Sequence, residues 1–158
     1  MARNRQQAEM TQLGYLGLAP FAAAAVALWL SPWLVPGYIA LDFHQIALVY
    51  GAVIVAYLAG GGAGATLAPG QKLQESFLPG QLMTLAAVAA AIPDGVFYLS
   101  LGAVWRHFVI LVLLVYLLLR DLQAANAGLF PKWYGKLRMR LTFWASLALL
   151  LIMSRLLL

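Results

Sequence analysis

Long apolar runs separated by short polar breaks predict five helices. The first covers about residues 13–30 and is stopped by Ser31, Pro32 and Trp33. The stretch Ser31 to Phe43 holds two prolines and a glycine and reads as a loop. A second helix follows at 45–65, roughly 30 Å at 1.5 Å per residue, which matches the hydrocarbon core of a bilayer. Thr66 to Gly80 is the most polar linker between helices, and its Lys72 to Phe77 part is expected to form a short interfacial helix. The third helix is expected at 77–92, before a turn at Pro93-Asp94-Gly95. The fourth, at 97–119, is interrupted by Arg106 and His107, and the fifth covers 138–157 after a polar loop from Asp121 to Lys136. No internal repeat divides the chain: residues 1–12 read as a tail and 13–158 as one transmembrane domain.

Composition names the solvent. Of the 158 residues 64% are hydrophobic and 9% charged, whereas soluble domains carry about 25% charged residues. That much apolar surface requires lipid, so the fold class is all-α, a polytopic membrane helix bundle of five transmembrane helices. Its apolar faces then meet the lipid bilayer. With no cysteine, disulfides, thiolate metal sites and iron–sulfur clusters are excluded. The start imitates a signal peptide, with Arg3 and Arg5 before an apolar run. That run reaches Leu34, so an uncleaved first helix is expected.

The net charge of +5 does not point to nucleic acid, because the positive residues flank the apolar runs in short loops. With the N-terminus inside, the inner segments hold Arg3, Arg5, Lys72, Arg120, Lys132, Lys136, Arg138 and Arg140. The outer ones hold Arg106 and Arg155. Eight against two is the bias that orients membrane proteins.

Candidate chemistry is sparse. Asp42, His44 and His107 are metal-ligand types on the predicted outer side and could supply three ligands. Read without function, they are ordinary interfacial residues, and Asp-x-His is a weak pattern. Arg106 is a charge inside an apolar run, which must be paired or must snorkel to the surface. Asp94 is its natural partner on the same side, and we expect Arg106 a turn or two below the surface. Lys132, Trp133, Tyr134, Lys136, Arg138 and Arg140 place positive charge beside interfacial aromatics, which suits anionic lipid or a partner subunit. Ala52, Ala56, Gly60 and Gly64 recur every four residues and predict a close-packed helix face. No catalytic constellation, phosphate loop or paired acidic set is present, so no enzyme activity and no cofactor is expected.

Three stretches add a resemblance: Leu13-Gly14-Tyr15-Leu16-Gly17-Leu18-Ala19-Pro20-Phe21, Tyr50-Gly51-Ala52-Val53-Ile54, and Pro131 to Thr142 with Trp133-Tyr134, Leu137-Arg138 and Leu141-Thr142. In this order and spacing the chain resembles a bacterial membrane-protein family of unknown function that is similar to the mitochondrial transmembrane protein 69. The resemblance covers most of the chain and implies the five-helix membrane fold, but no activity. Where that family shows a bulky aromatic after a Gly-Gly pair, this chain has Gly60-Gly61-Gly62-Ala63-Gly64.

The expected function is that of an accessory or assembly protein of the cell inner (cytoplasmic) membrane, or of the mitochondrial inner membrane in a eukaryote. It would bind other membrane-protein subunits or lipid. The alternative is a binder or carrier of a lipid, sterol or porphyrin-like molecule, suggested by five tryptophans in a five-helix frame. A third reading is an intramembrane enzyme working through Asp42, His44 and His107. An aromatic-lined pocket of several hundred Å3 would favour the binder.

Overall fold

The computed structural model describes residues 2–67, 77–93, 96 and 101–158, with the backbone alone for 2–4 and 6. Asp94, Lys72, the expected interfacial helix before Phe77 and the expected start of the fourth helix near residue 97 lie outside the described residues.

The described elements are α1 (Ala2–Leu16), α2 (Ala19–Leu30), α3 (Gly37–Thr66), α4 (Leu78–Ala91), α5 (Ala103–Asn126) and α6 (Lys132–Leu157). Residues Gln7–Leu30, α3, α5 and α6 are each long and apolar enough to cross a membrane. α4 has 14 residues, about 21 Å of helix, short of the roughly 30 Å hydrocarbon core. Among the described residues, four of the five expected transmembrane helices are thus long enough to span, and α4 is a shorter apolar helix between α3 and α5.

Proline and glycine set the ends. Pro20 carries no N–H, so the chain breaks between α1 and α2, where Leu18 N–H turns back to Tyr15 O at 3.0 Å. Ile92, held extended by the proline after it (φ −61, ψ 127), ends α4. Gly128 (φ +84) ends α5, letting Leu129 N–H reach Ala124 O at 2.9 Å.

Several expected boundaries move, each for a local reason. The tail 1–12 is mostly helix, because α1 begins at Ala2. α3 begins at Gly37 rather than near residue 45, since Pro32 and Pro36 bracket only a short turn and Pro36 leads into the helix. α5 continues past residue 119 and α6 starts at Lys132 rather than 138. The charged residues Asp121 and Arg138 therefore sit within helices rather than in a loop.

α3 is the hub, packed on α2, α4 and α5, while α6 closes the bundle against α5 and α2. The core is built largely of small side chains such as Ala24, Ala47, Ala52, Ala59, Ala87 and Ala145, with Phe21, Leu48, Ile110 and Leu149 between them. Large apolar side chains face outward instead, among them Leu13, Tyr57, Leu85 and Phe143. Lipid gives such residues no reason to hide, and small residues let helix backbones approach.

The close approach falls at different positions from the predicted stripe. Ala52 is buried, but Gly60 and Gly64 are exposed, and a Cβ on either would meet nothing within 4 Å. The packed face runs through Leu48, Ala52, Val55 and Ala59, with Gly80 of α4 against Ala59. A repeat of exactly four residues drifts around a helix of 3.6 per turn, so Gly60 and Gly64 rotate off the contact while Ala59 stays on it. A tight helix contact is at Gly51, where a Cβ would lie 2.7 Å from Ile110 Cγ2 and 3.6 Å from Phe21 Cε1. Ile110 is fully buried and branched at Cβ, so its Cγ2 methyl cannot swing aside. Gly51→Ala is expected to cost about 1–3 kcal/mol through overpacking, read as an earlier thermal unfolding transition in detergent. Gly60→Ala should leave that transition unchanged or raise it slightly.

Candidate functional site

Two polar clusters are buried in this apolar bundle. One lies at the end carrying Gly37 and Ala103. The other lies at the end carrying Lys132, Lys136 and Arg140, called here the basic end.

At the first, Arg106 is 2% exposed. Its Nε donates to Ala90 O at 2.8 Å, and its Nη2 donates to Gln45 Oε1 at 3.1 Å and Ala91 O at 3.2 Å. Gln45 Nε2 donates to the same Ala91 O at 3.0 Å. The last carbonyls of a helix have no partner within it, and α4 ends where α3 continues alongside. Arg106 and Gln45 supply the missing donors, and the positive charge suits the negative end of the helix dipole. The guanidinium thus has protein acceptors from α3 and α4, and nothing here requires it to snorkel.

The expected metal set does not assemble. His44 and His107 do meet, with ring centroids 5.5 Å apart, but Asp42 is exposed on another face of α3. Read in a loop, Asp42 and His44 could converge; on a helix, residues i and i+2 point apart. Among the described residues no three His, Cys, Asp or Glu side chains could hold one metal ion. His107 is fully buried, and its Nδ1 lies 2.8 Å from Ala103 O. A carbonyl only accepts, so Nδ1 carries the proton. Asp42, His44 and His107 therefore do not converge as a three-residue ligand set.

The basic end holds a cavity of about 290 Å3 between α1, α2, α3, α5 and α6. Its apolar lining includes Phe21, Ile54, Leu114, Leu141 and Ala145; its polar lining is Tyr50, Tyr57, Tyr134, Arg138 and Thr142. Met10, Leu13 and Tyr57 are exposed and mark a mouth that opens sideways, between α1 and α3. Tyr50 O–H donates to Gly17 O at 2.8 Å, tying α3 to the break between α1 and α2. Tyr50→Phe is expected to cost about 1 kcal/mol and to raise hydrogen exchange at Gly17 to Ala22 before elsewhere.

Arg138 is the chemical centre of this cavity. It arises from α6, whose buried face repeats through Arg138, Thr142, Ala145, Leu149 and Ile152 at helical spacing. Its Nε donates to Asp121 Oδ2 at 2.7 Å, with both side chains 8% exposed. Its Nη2 is buried and has no hydrogen-bond partner among the described residues. A buried donor left in that state is costly; it is other atoms of Arg138 that line the cavity, because Nη2 itself is enclosed.

The predicted surface cluster divides accordingly. Lys132, Lys136 and Arg140 are exposed and Trp133 is half-buried. Arg138 and Tyr134 instead turn inward to the cavity, a correction to the reading of all six as one contact surface. Trp33, Trp105, Trp144 and Trp29 are exposed and none lines the cavity, so its aromatic character comes from tyrosine and phenylalanine. Sequence reasoning missed Asp121, Gln45, Tyr50 and Gly17. Asp121 had a readable signal: it precedes the α5–α6 turn by about as much as Arg138 follows it, which pairs opposite charges across a helical hairpin.

A second, larger apolar furrow of about 490 Å3 lies between α2 and α6 against Trp144. It is an open groove on the lipid-facing side with Tyr15 its only hydroxyl-bearing lining residue, and no charged group lines it.

The family described as Protein of unknown function (DUF3429) matches residues 6–154. No curated protein and no solved structure matches the chain.

Proposed function

The chain belongs to the family described as Protein of unknown function (DUF3429), and we propose that it is a multi-pass membrane protein that binds a small amphiphile drawn from the bilayer. The observation that carries this reading is the 290 Å3 aromatic-lined cavity, with Tyr57, Tyr134, Arg138 and Thr142 among its polar lining. Ligand sites are concave, mostly apolar and served by a few convergent polar groups. This cavity fits that description at the small end of the size range, and its sideways mouth suits entry from lipid.

The experiment is purification of the full chain from its native membrane in mild detergent, with extraction and mass spectrometry of bound small molecules. One amphiphile retained at about one per chain is the expected result. Ala145→Phe, which fills the cavity, should release it while the helical circular dichroism spectrum and melting transition persist. Recovery of the same mixed membrane lipid from both proteins would sink the proposal.

The N-terminus is assigned to the cytoplasmic side on the eight-to-two distribution of positive residues. The basic end would then face the cytoplasm, and the inner (cytoplasmic) membrane is the location that fits. The likeness to the mitochondrial transmembrane protein 69 rests on the three sequence stretches and does not bear on the cavity.

One observation supports the accessory-subunit reading. Gly60, Gly61 and Gly64 form an open, side-chain-free strip on α3, the kind of surface that lets a further transmembrane helix approach. Gly60→Leu would then abolish co-purification of a stoichiometric partner and leave amphiphile binding intact.

A further inference from the structure

We infer that the furrow between α2 and α6 seats an acyl chain of an anionic phospholipid, whose headgroup phosphate is held by Arg140 with Lys136 beside it. The furrow is separate from the cavity between Tyr50 and Arg138, and the inference does not depend on what fills that cavity.

The furrow has an interfacial end and a closed end. Its α6 wall is Trp144, Leu147, Ala148 and Leu151, and the small Ala22 and Ala25 leave a hollow on α2. At the far end α2 and α6 are tied together, where Trp29 Nε1 donates to Leu151 O and Arg155 Nη2 donates to Ser31 O, each at 3.0 Å. The near end carries Tyr15 and Trp144, residue types that settle at the membrane–water interface. Gly14 packs on Leu141, where an added Cβ would lie 2.7 Å from Leu141 Cδ1. Tyr15 therefore stands near the level of Arg140, one residue before Leu141 on α6.

Helical register puts a cation over that near end. A helix turns by about 100° per residue, so the four α6 wall residues cover a sector of about 100°. Arg140 falls inside the same sector, one turn or roughly 6 Å nearer the basic end than Trp144. Lys136 lies about 20° outside the sector and Lys132 about 60° outside it. Side chains on a helix lean toward its N-terminus, and α6 starts at the basic end. The Arg140 stem thus leads its guanidinium away from the apolar furrow and toward the headgroups, as a snorkelling cation does.

Charge selects the head. Lys132, Lys136 and Arg140 are exposed, and among the described residues none of them is joined to a carboxylate. The two described carboxylates at this end are already opposite other arginines, Glu9 at 3.9 Å from Arg5 and Asp121 at 2.7 Å from Arg138. Positive charge standing over an apolar groove is complementary to a phosphate standing over an acyl chain. The guanidinium fork can bond two phosphate oxygens at once. A choline head would bring its own cation against Lys136, whereas a glycerol head brings none. Free phosphate would use the arginine but leave the furrow empty.

The test uses the full chain, delipidated in detergent and titrated with dioleoylphosphatidylglycerol or dioleoylphosphatidylcholine, with bound lipid counted by native mass spectrometry. One phosphatidylglycerol per chain is expected, held about fivefold more tightly than phosphatidylcholine, the scale of one cation acting near a lipid surface. Arg140→Gln should bring the two lipids to parity, Arg140→Lys should keep part of the preference, and Lys132→Gln should change it little. Ala22→Phe, at an exposed position of the furrow, should weaken phosphatidylglycerol binding. Ala145→Phe, which fills the cavity instead, should leave it unchanged, and excess inorganic phosphate should not displace the lipid. Equal retention of both lipids by the unmodified protein overturns the inference. So do equal effects of Lys132→Gln and Arg140→Gln, which mean diffuse attraction, and undiminished binding in Ala22→Phe. Loss of binding in Ala145→Phe places the lipid in the cavity, and displacement by phosphate reduces the site to its head; either result overturns the inference as well.

Discussion

Asp121→Ala is expected to destabilise the protein by about 3–5 kcal/mol, the range for leaving one charge of a buried pair uncompensated. Asp121 and Arg138 are each 8% exposed in their side chains and joined at 2.7 Å. Once Asp121 is gone, the Arg138 guanidinium, already short of a partner at Nη2, loses its Nε acceptor as well. Arg138→Ala should be comparably damaging, because it strands the Asp121 carboxylate between α5 and α6. The paired replacement Asp121→Leu with Arg138→Met should recover most of the loss, since apolar side chains of similar volume often serve as well as a buried ion pair. Unfolding of each variant in a detergent titration, arranged as a double-mutant cycle, measures the coupling directly. Additive single effects, with no coupling beyond about 0.5 kcal/mol, would show that the two charges do not depend on each other.

Arg106→Ala should be the next most damaging change, at about 2–4 kcal/mol for one buried and one half-buried acceptor stripped of their donor. The acceptors are Ala90 O and Gln45 Oε1, because Ala91 O keeps its bond from Gln45 Nε2. The effect should be local. Hydrogen exchange should rise first in α4 and the first turn of α5, while α2 and α6 stay protected. Arg106→Lys keeps the charge at the end of α4, but one ammonium cannot reproduce the fork that spans three acceptors, so an intermediate loss is expected. Exchange that rises uniformly through the bundle would contradict a capping role confined to α4.

Both predictions concern residues whose importance the sequence announced unequally. Arg106 was conspicuous because a charge interrupts an apolar run. Its partners were not, because two are backbone carbonyls, present at every residue and carrying no sequence signal. Gln45 stood at the expected helix boundary, where an amide looks like an interfacial residue. Asp121 and Arg138 were read as loop and helix-start residues. Each is legible as half of a pair only when α5 and α6 are both extended toward their turn.

The expected metal set failed through the same kind of error. Asp42 and His44 look convergent if Ser31 to Phe43 is a loop. Once α3 starts at Gly37, the two side chains leave opposite sides of a helix. The small-residue stripe failed more narrowly: Ala52 packs, but a strict four-residue repeat precesses off the contact by Gly60.

By itself the sequence determined that this is an all-α chain of apolar helices suited to lipid, where most of them run, and that no thiol chemistry is available. Those properties depend on composition and on the periodicity of single segments, which are local. Only the tertiary structure decided that α4 is a short helix finished by Arg106, that Gly51 and not Gly60 is a tight contact, and that the buried Arg138–Asp121 pair sits beside a cavity. Cavities, close approaches and partners of a buried charge are properties of several helices at once. They follow from the rotation and depth of each helix against its neighbours, which small side chains in lipid leave free to vary until the packed bundle sets them.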